Sequence, residues 1–409
     1  MNDERRAAGL YLAHLVDCAL HDAEPDPKPD EVAWESVHAL AVANSMEGAS
    51  WASARARAAD MPGRLCERWG QEADATLFRL LRFDVEREAV LGELAAHGLS
   101  YLPLKGVLMA RYYPHPEMRS MADNDILYGF VEAAPEGGFR ICGATEAERA
   151  VAVRKATNVV AAIMESRGYR AESLHRGNHD SFLREPFYNF ELHRALMSPS
   201  SDLRPYFENP WQRALRDPGD PFGFRFSDED EYLYHIAHAF KHYDVSGCGI
   251  RFLADIEAFL VRKGASLDER YLEQQLDVLG LTGFESRMRG LAIALFGGTS
   301  DGTGTGLSAG QVDELQYLLG CGTYGTLRVN LERRVDKLLD EGGGLEAAKR
   351  GYVRQRLLMR EEDRLEYYPV LGRYKLLFPV FLLVRFGKAA FKTPAKVARE
   401  LKLLRHMDR

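Results

Sequence analysis

The chain has 409 residues, 46% of them hydrophobic and 28% charged, which describes an ordinary globular protein of two or three domains. Its formal net charge of −7 argues against a general nucleic-acid binder, because phosphate binding needs a basic surface. Five scattered cysteines with no CxxC pair rule against a disulfide framework or a zinc knuckle and fit a reducing, cytoplasmic setting. The first residues, MNDERRAAGLYLAHL, carry no signal-type apolar region, and LLFPVFLLV at 376–384 is too short to span a membrane.

Residues 1–97 read as a helical region. LYLAHLVDCALHDA, DEVAWESVHALAVAN and ATLFRLLRFDVEREAVLGELAAHG all place apolar residues three and four apart. PDPKPD at 25–30 separates the first two, and Gly98 caps the third. The period then changes. LSYLPLKG reads as a strand ending at Gly106, VLMARYYP as a helical turn or two, and MADNDILYGF as the next strand, with AAPEGG at 133–138 as a turn. TEAERAVAVRKATNVVAAIMESRGY predicts a helix with a Thr145 cap and a glutamate three residues on. YRAESLHR and SFLREPFYNFELHRAL read as two more strands, with RGNHD between them. The fold class is therefore α+β: a small mixed-sheet core over 98–200, a helical domain over 201–345 and a helical tail over 346–409. FGGTSDGTGTGLSAG at 296–310 lacks the Gly-Lys-Ser/Thr ending of a phosphate loop and reads as a flexible linker. EGGG at 341–344 marks a second break.

RSMADNDILYG at 119–129 carries Asp123 and Asp125, which share one face if the stretch is a strand. Like charges that close repel unless a cation or a shared proton relieves them, so they are either solvated in a loop or hold a metal. In FYNFELHRAL, Phe190 and Leu192 face one way while Asn189, Glu191 and His193 face the other. Glu191 can then complete a three-carboxylate cluster, or simply pair with Arg194. Oxygen ligands of this kind suit Mg²⁺, as one or two ions, with substrate phosphates in the remaining positions. Lys105 and Gly106 stand at a strand-to-helix turn, where backbone N–H groups can approach an anion. DEDEYLYHIAHAFKHY aligns His235, His238 and His242 on one helix face, without the HExxH pattern of a zinc site.

The order strand–glycine–helix, Asp-x-Asp strand, and later strand with a third carboxylate resembles the DNA polymerase β-like nucleotidyltransferase superfamily. The closer likeness is to its bacterial branch of largely uncharacterised nucleotidyltransferases. It rests on Leu104-Lys105-Gly106, Tyr113-Pro114, Arg119, Asp123-Asn124-Asp125, Glu191-Leu192-His193 and the histidine-rich helix at 235–242, and it covers roughly residues 75–265. Asn124 stands where such proteins usually have an apolar residue, and Lys105-Gly106 where many have Gly-Ser. The resemblance implies that Asp123, Asp125 and Glu191 are catalytic and hold Mg²⁺. It further implies that Lys105, Gly106, Arg119, His193, His238 and His242 meet the nucleotide, and that Asp255 orients a histidine or pairs with Arg251. The activity it implies is transfer of a nucleoside monophosphate, with ATP the default donor, to an unidentified acceptor hydroxyl. The alternative is a binding protein that keeps the fold without turnover. Residues 370–409 carry a net charge of +8 against about −15 elsewhere. This basic amphipathic tail is expected to dock on the acidic body through Phe378, Phe381, Leu382, Leu383 and Phe386, or else to touch an anionic membrane.

Overall fold

The computed structural model describes residues 3–340, 342–359, 364, 368, 371, 374–392 and 394–407. The N-terminal region is four helices rather than three: α1 (Asp3–His21), α2 (Trp34–Ala43), α3 (Glu47–Ala54) and α4 (Gly63–Ala96). The short α3 is poor in large apolar residues, which hides it from a periodicity argument. Its Gly48 permits close packing, since a Cβ there would stand 1.9 Å from the Glu117 carbonyl oxygen. Gly98, at φ +74°, ends the α4 segment as expected, because a left-handed residue suits glycine best. α1 is buried from Ala8 to Leu20, and its apolar residues share one core with the helices that follow the sheet.

The central sheet has five strands, β1 (Ser100–Leu104), β2 (Asn124–Gly129), β5 (Arg170–Ser173), β6 (His179–Arg184) and β7 (Tyr188–His193), in the order β1-β2-β7-β6-β5. β2 and β7 run parallel and every other neighbouring pair is antiparallel. The stretch expected as one strand over 181–196 is a hairpin, because Pro186 lies in a tight turn from which β7 pairs back on β6. A second small hairpin, β3 (Val131–Ala133) with β4 (Phe139–Ile141), flanks the expected turn at 133–138. Helix α6 (Glu146–Ser166) begins with the capping box read from the sequence, Thr145 and Glu148 satisfying each other's backbone N–H. α4 and α6 cover one sheet face, with Phe83, Val90, Leu94, Val160 and Ile163 against Ile126, Tyr128, Phe182, Phe190 and Leu192. Period-two alternation therefore sends Asp125, Glu191 and His193 to the other face.

That other face meets the helical domain. Helices α7 (Asp228–Val245), α8 (Arg251–Lys263), α9 (Glu269–Leu279), α10 (Thr282–Phe296) and α11 (Ala309–Cys321) follow in order. The segment expected to be a flexible linker between α10 and α11 is tied to α1 instead. Asp17 accepts from the backbone N–H of Gly298 at 2.7 Å and of Ser300 at 3.0 Å. Helices α12 (Leu327–Asp340) and α13 (Leu345–Leu358) build a small separate core with the last helix, α15 (Pro394–Arg405). Among the described residues of the tail, Leu404 enters this core and Glu400 binds Tyr352 and Arg356, while Arg385 of α14 (Phe378–Lys392) donates to the Arg356 carbonyl oxygen at 3.1 Å. α14 turns Val380, Leu383 and Val384 outward, with Leu383 72% exposed. Val370, where the basic tail was expected to begin, lies outside the described residues. Among the described residues no helix is long and apolar enough to cross a membrane.

Candidate functional site

The sheet register puts Asp125 of β2 directly beside Glu191 of β7 and across from Leu104 of β1. The next residue, Lys105, adopts φ +56° and ψ −124°, a backbone conformation that favours glycine and costs a side chain about 1–3 kcal/mol. Its ammonium donates to Asp125 Oδ1 at 2.6 Å and lies 3.9 Å from Glu191 Oε2. Lys105 is therefore a stand-in cation between two carboxylates. His193 Nε2 meets the same Asp125 oxygen at 2.7 Å, and Asp123, just ahead of β2, lines the same cavity. Helix α5 (Gly106–Met109) is only four residues long, so its dipole is small and the local positive charge comes from side chains.

These neighbours separate the carboxylates electrostatically. Burial raises Asp125, but the Lys105 ammonium and the His193 bond outweigh it and hold the group well below the usual carboxylate range. Asp123 moves the other way, to about 6, through burial and the charge of Asp125. Glu191 rises to about 7 for the same two reasons. Two acids that resist ionising beside a third that is ionised form a site short of positive charge, which is what a divalent cation with oxygen ligands supplies. The donor set thus fits Mg²⁺. Asn124, between the aspartates, points to the opposite face and is fully buried. It accepts from Arg87 at 3.3 Å and leaves its Nδ2 without a partner, so it does not disturb the carboxylate pair.

The facing wall of this cavity, about 400 Å³ in volume, comes from α7 and the start of α8. His235, His238, Lys241 and His242 of α7 and Arg251 of α8 line it. His238 and His242 sit with their Nε2 atoms 3.1 Å apart. Burial and the nearby cations keep both neutral, His242 falling to about 4 and His238 well below its usual value. Burial beside Lys105 lowers Lys241, and burial beside Arg119 lowers Arg251 to about 10. Both respond to a surplus of positive charge that an anionic ligand relieves.

The two walls are joined by a buried clamp. Arg119 donates from Nε to Asp255 Oδ1 at 2.6 Å and from NH2 to Oδ2 at 2.9 Å, and its NH1 meets the Ser120 carbonyl oxygen. Tyr113 adds its hydroxyl to Asp255 at 2.8 Å. Arg119 lines the cavity, and its guanidinium is already engaged by Asp255. Asp255 orients Arg119 rather than a histidine, and Arg251 turns instead to the Ser120 carbonyl at 3.1 Å.

The structure brings Lys105, Gly106, Arg119, Asp123, Asp125, Glu191, His193, His238 and His242 to one cavity. Sequence reasoning missed Lys241, Arg251 and His179. Lys241 lies three residues after His238, on the face already singled out. His179 gave no such signal, since it reads as part of a loop until the β6–β7 hairpin is known.

A mixed sheet with an acidic cluster on one face, closed by a helical wall that carries Lys241 and Arg251, makes this an α+β protein whose cavity sets carboxylates opposite cations. A family model described as uncharacterised nucleotidyltransferase matches residues 30–133 and 151–297, more than half of the chain. The protein belongs to that family, and the match supports nucleotidyl transfer. No curated protein and no solved structure matches the chain.

Proposed function

We propose that the protein is a Mg²⁺-dependent nucleotidyltransferase that moves a nucleoside monophosphate, AMP from ATP in the simplest case, to an acceptor hydroxyl. The observation that carries this reading is the Asp125–Glu191 pair on adjacent parallel strands with the Lys105 ammonium between them. Asp123, Asp125 and Glu191 would hold the ion. When bound, Mg²⁺ supplies charge neutralisation to the triphosphate and polarises the α-phosphate.

The chain's own residues account for the rest. Lys105, Lys241 and Arg251 bind phosphate oxygens, and their proximity to one another makes the free cavity electropositive on that side. Arg119, fixed by Asp255, holds the sheet against the helical domain and so sets the cavity width. The acceptor oxygen forms a bond to the α-phosphorus while the bond from that phosphorus to the α,β-bridging oxygen breaks. Pyrophosphate leaves with that oxygen. The acceptor's proton leaves to water; the His238–His242 pair, kept neutral by burial and nearby cations, is a poor proton acceptor and serves to orient the acceptor hydroxyl through a hydrogen bond.

The test is incubation of the full chain with ATP labelled in the adenosine, Mg²⁺ and a metabolite extract, followed by mass spectrometry of protein and small molecules. A labelled AMP adduct with matching pyrophosphate release, both absent for Asp125→Asn, is expected. ADP with orthophosphate, or no consumption of ATP in any extract, would overturn the reading.

A further inference from the structure

We propose that His179, Glu191 and His193 form a binding site for a borderline divalent transition ion, of the manganese, cobalt or zinc kind, beside the all-oxygen carboxylate site. This goes beyond nucleotidyl transfer and does not depend on it.

The register of the sheet creates the cluster. His179 of β6 is directly opposite His193 of β7, and Glu191 lies two residues before His193, so all three project from one face. Both His179 Nε2 and His193 Nε2 stand 3.7 Å from Glu191 Oε2. One ligand atom from each of the three residues lies within 4.8 Å of the others. Ligands at about 2.1 Å from a tetrahedral ion are separated by roughly 3.4 Å. The side chains are therefore already spaced close to a metal-bound arrangement, and no strand has to move.

The two histidines differ in how they are engaged. His179 Nε2, the nitrogen that stands 3.7 Å from Glu191, is beyond hydrogen-bond distance of it, and the ring's other nitrogen, Nδ1, is buried with no hydrogen-bond partner. The two rings lie with centroids 5.0 Å apart, tilted by 44°, rather than bonded to each other. Neither nitrogen of His179 is committed to a hydrogen bond, so the ring can take an ion at Nε2 without giving one up. His193 Nε2 donates to Asp125 at 2.7 Å, so ligation through that nitrogen displaces its proton. Asp125 is then free to act wholly on the oxygen side.

Donor type separates the two ions. Mg²⁺ takes oxygen ligands and disfavours imidazole, whereas imidazole with carboxylate suits the later first-row ions. Glu191 has two oxygens and belongs to both sites. The cavity side of the cluster is open, which leaves positions for water or substrate.

The experiment uses the full chain freed of metal and titrated with Co²⁺ while visible absorption is followed, with pulsed EPR of the Mn²⁺ form alongside. Intensified d–d bands and imidazole nitrogen couplings are expected in the wild type. His179→Asn should lose both and weaken Co²⁺ by more than the roughly tenfold that loss of even an outer-shell partner costs. Its melting temperature in chelator should match the wild type, and if it does not, His179→Gln replaces it. Wild-type Co²⁺ affinity in the variant, or a Mn²⁺ spectrum without nitrogen couplings, would overturn the proposal. Metal binding as described without pyrophosphate release would instead count against nucleotidyl transfer alone.

Discussion

Asp123 and Asp125 look equivalent in the sequence, and replacing each by asparagine in metal-free protein should move stability in opposite directions. Asp123 has its folded pKa raised from 3.8 to about 6 by burial and by Asp125. A carboxyl raised in this way contributes stability below its unfolded value, and loses it as pH rises through about 6. At pH 7.5 it is ionised at a cost of at most about 3 kcal/mol, from roughly 1.4 kcal/mol per pKa unit. Asp123→Asn removes that cost and should stabilise the protein by about 1–3 kcal/mol. Asp125 has a depressed pKa, so its contribution is present above the unfolded value and lost only as pH falls through the low folded one. Asp125→Asn keeps an oxygen for His193 but removes the charge beside the buried Lys105 ammonium, leaving Glu191 at 3.9 Å as its ion-pair partner. Losing one partner of such a pair costs about 3–5 kcal/mol, and Glu191 places this case at the low end. Urea denaturation at pH 7.5 in chelator reads both. Stabilisation by Asp125→Asn, or destabilisation by Asp123→Asn, would refute the reasoning. Repeating the melts with Mg²⁺ and ATP should remove the advantage of Asp123→Asn, since the ion relieves the same repulsion.

Asp255→Ala strands the buried Arg119 beside Arg251 and should cost about 3–5 kcal/mol in denaturation. A loss below about 1 kcal/mol would show that the clamp is not structural. Asn124→Val removes an amide with an unpartnered Nδ2, while Arg87 keeps Asp84 at 2.8 Å. Stability should stay within about 1 kcal/mol and transfer should persist, and abolished transfer would assign Asn124 a place in the chemistry. We further propose that the outward stripe of α14 touches anionic lipid. Leu383→Glu with Val384→Glu should then change stability by less than about 0.5 kcal/mol yet end co-sedimentation with anionic vesicles at low salt. A wild-type chain that never binds such vesicles would remove the membrane role.

Local chemistry was legible wherever neighbours in sequence decide the outcome. The Thr145–Glu148 capping box, the left-handed Gly98 and the alternation that puts Glu191 and His193 on one face and Phe190 and Leu192 on the other all follow from residues a few positions apart. So did the separate acidic and histidine-rich segments of the site. Tertiary structure decided what those segments do to one another. Parallel pairing of β2 with β7 sets Asp125 beside Glu191, and the backward turn at Lys105 drops an ammonium between them. Only that placement makes the two aspartates inequivalent, because a pKa depends on burial and on charges a few ångströms away. The same holds for Arg119, which meets Asp255 from 136 positions away, and for His179, which joins the site only once β6 folds back on β7. Register and domain packing bring such groups together, and neither leaves a periodic trace in the residues themselves.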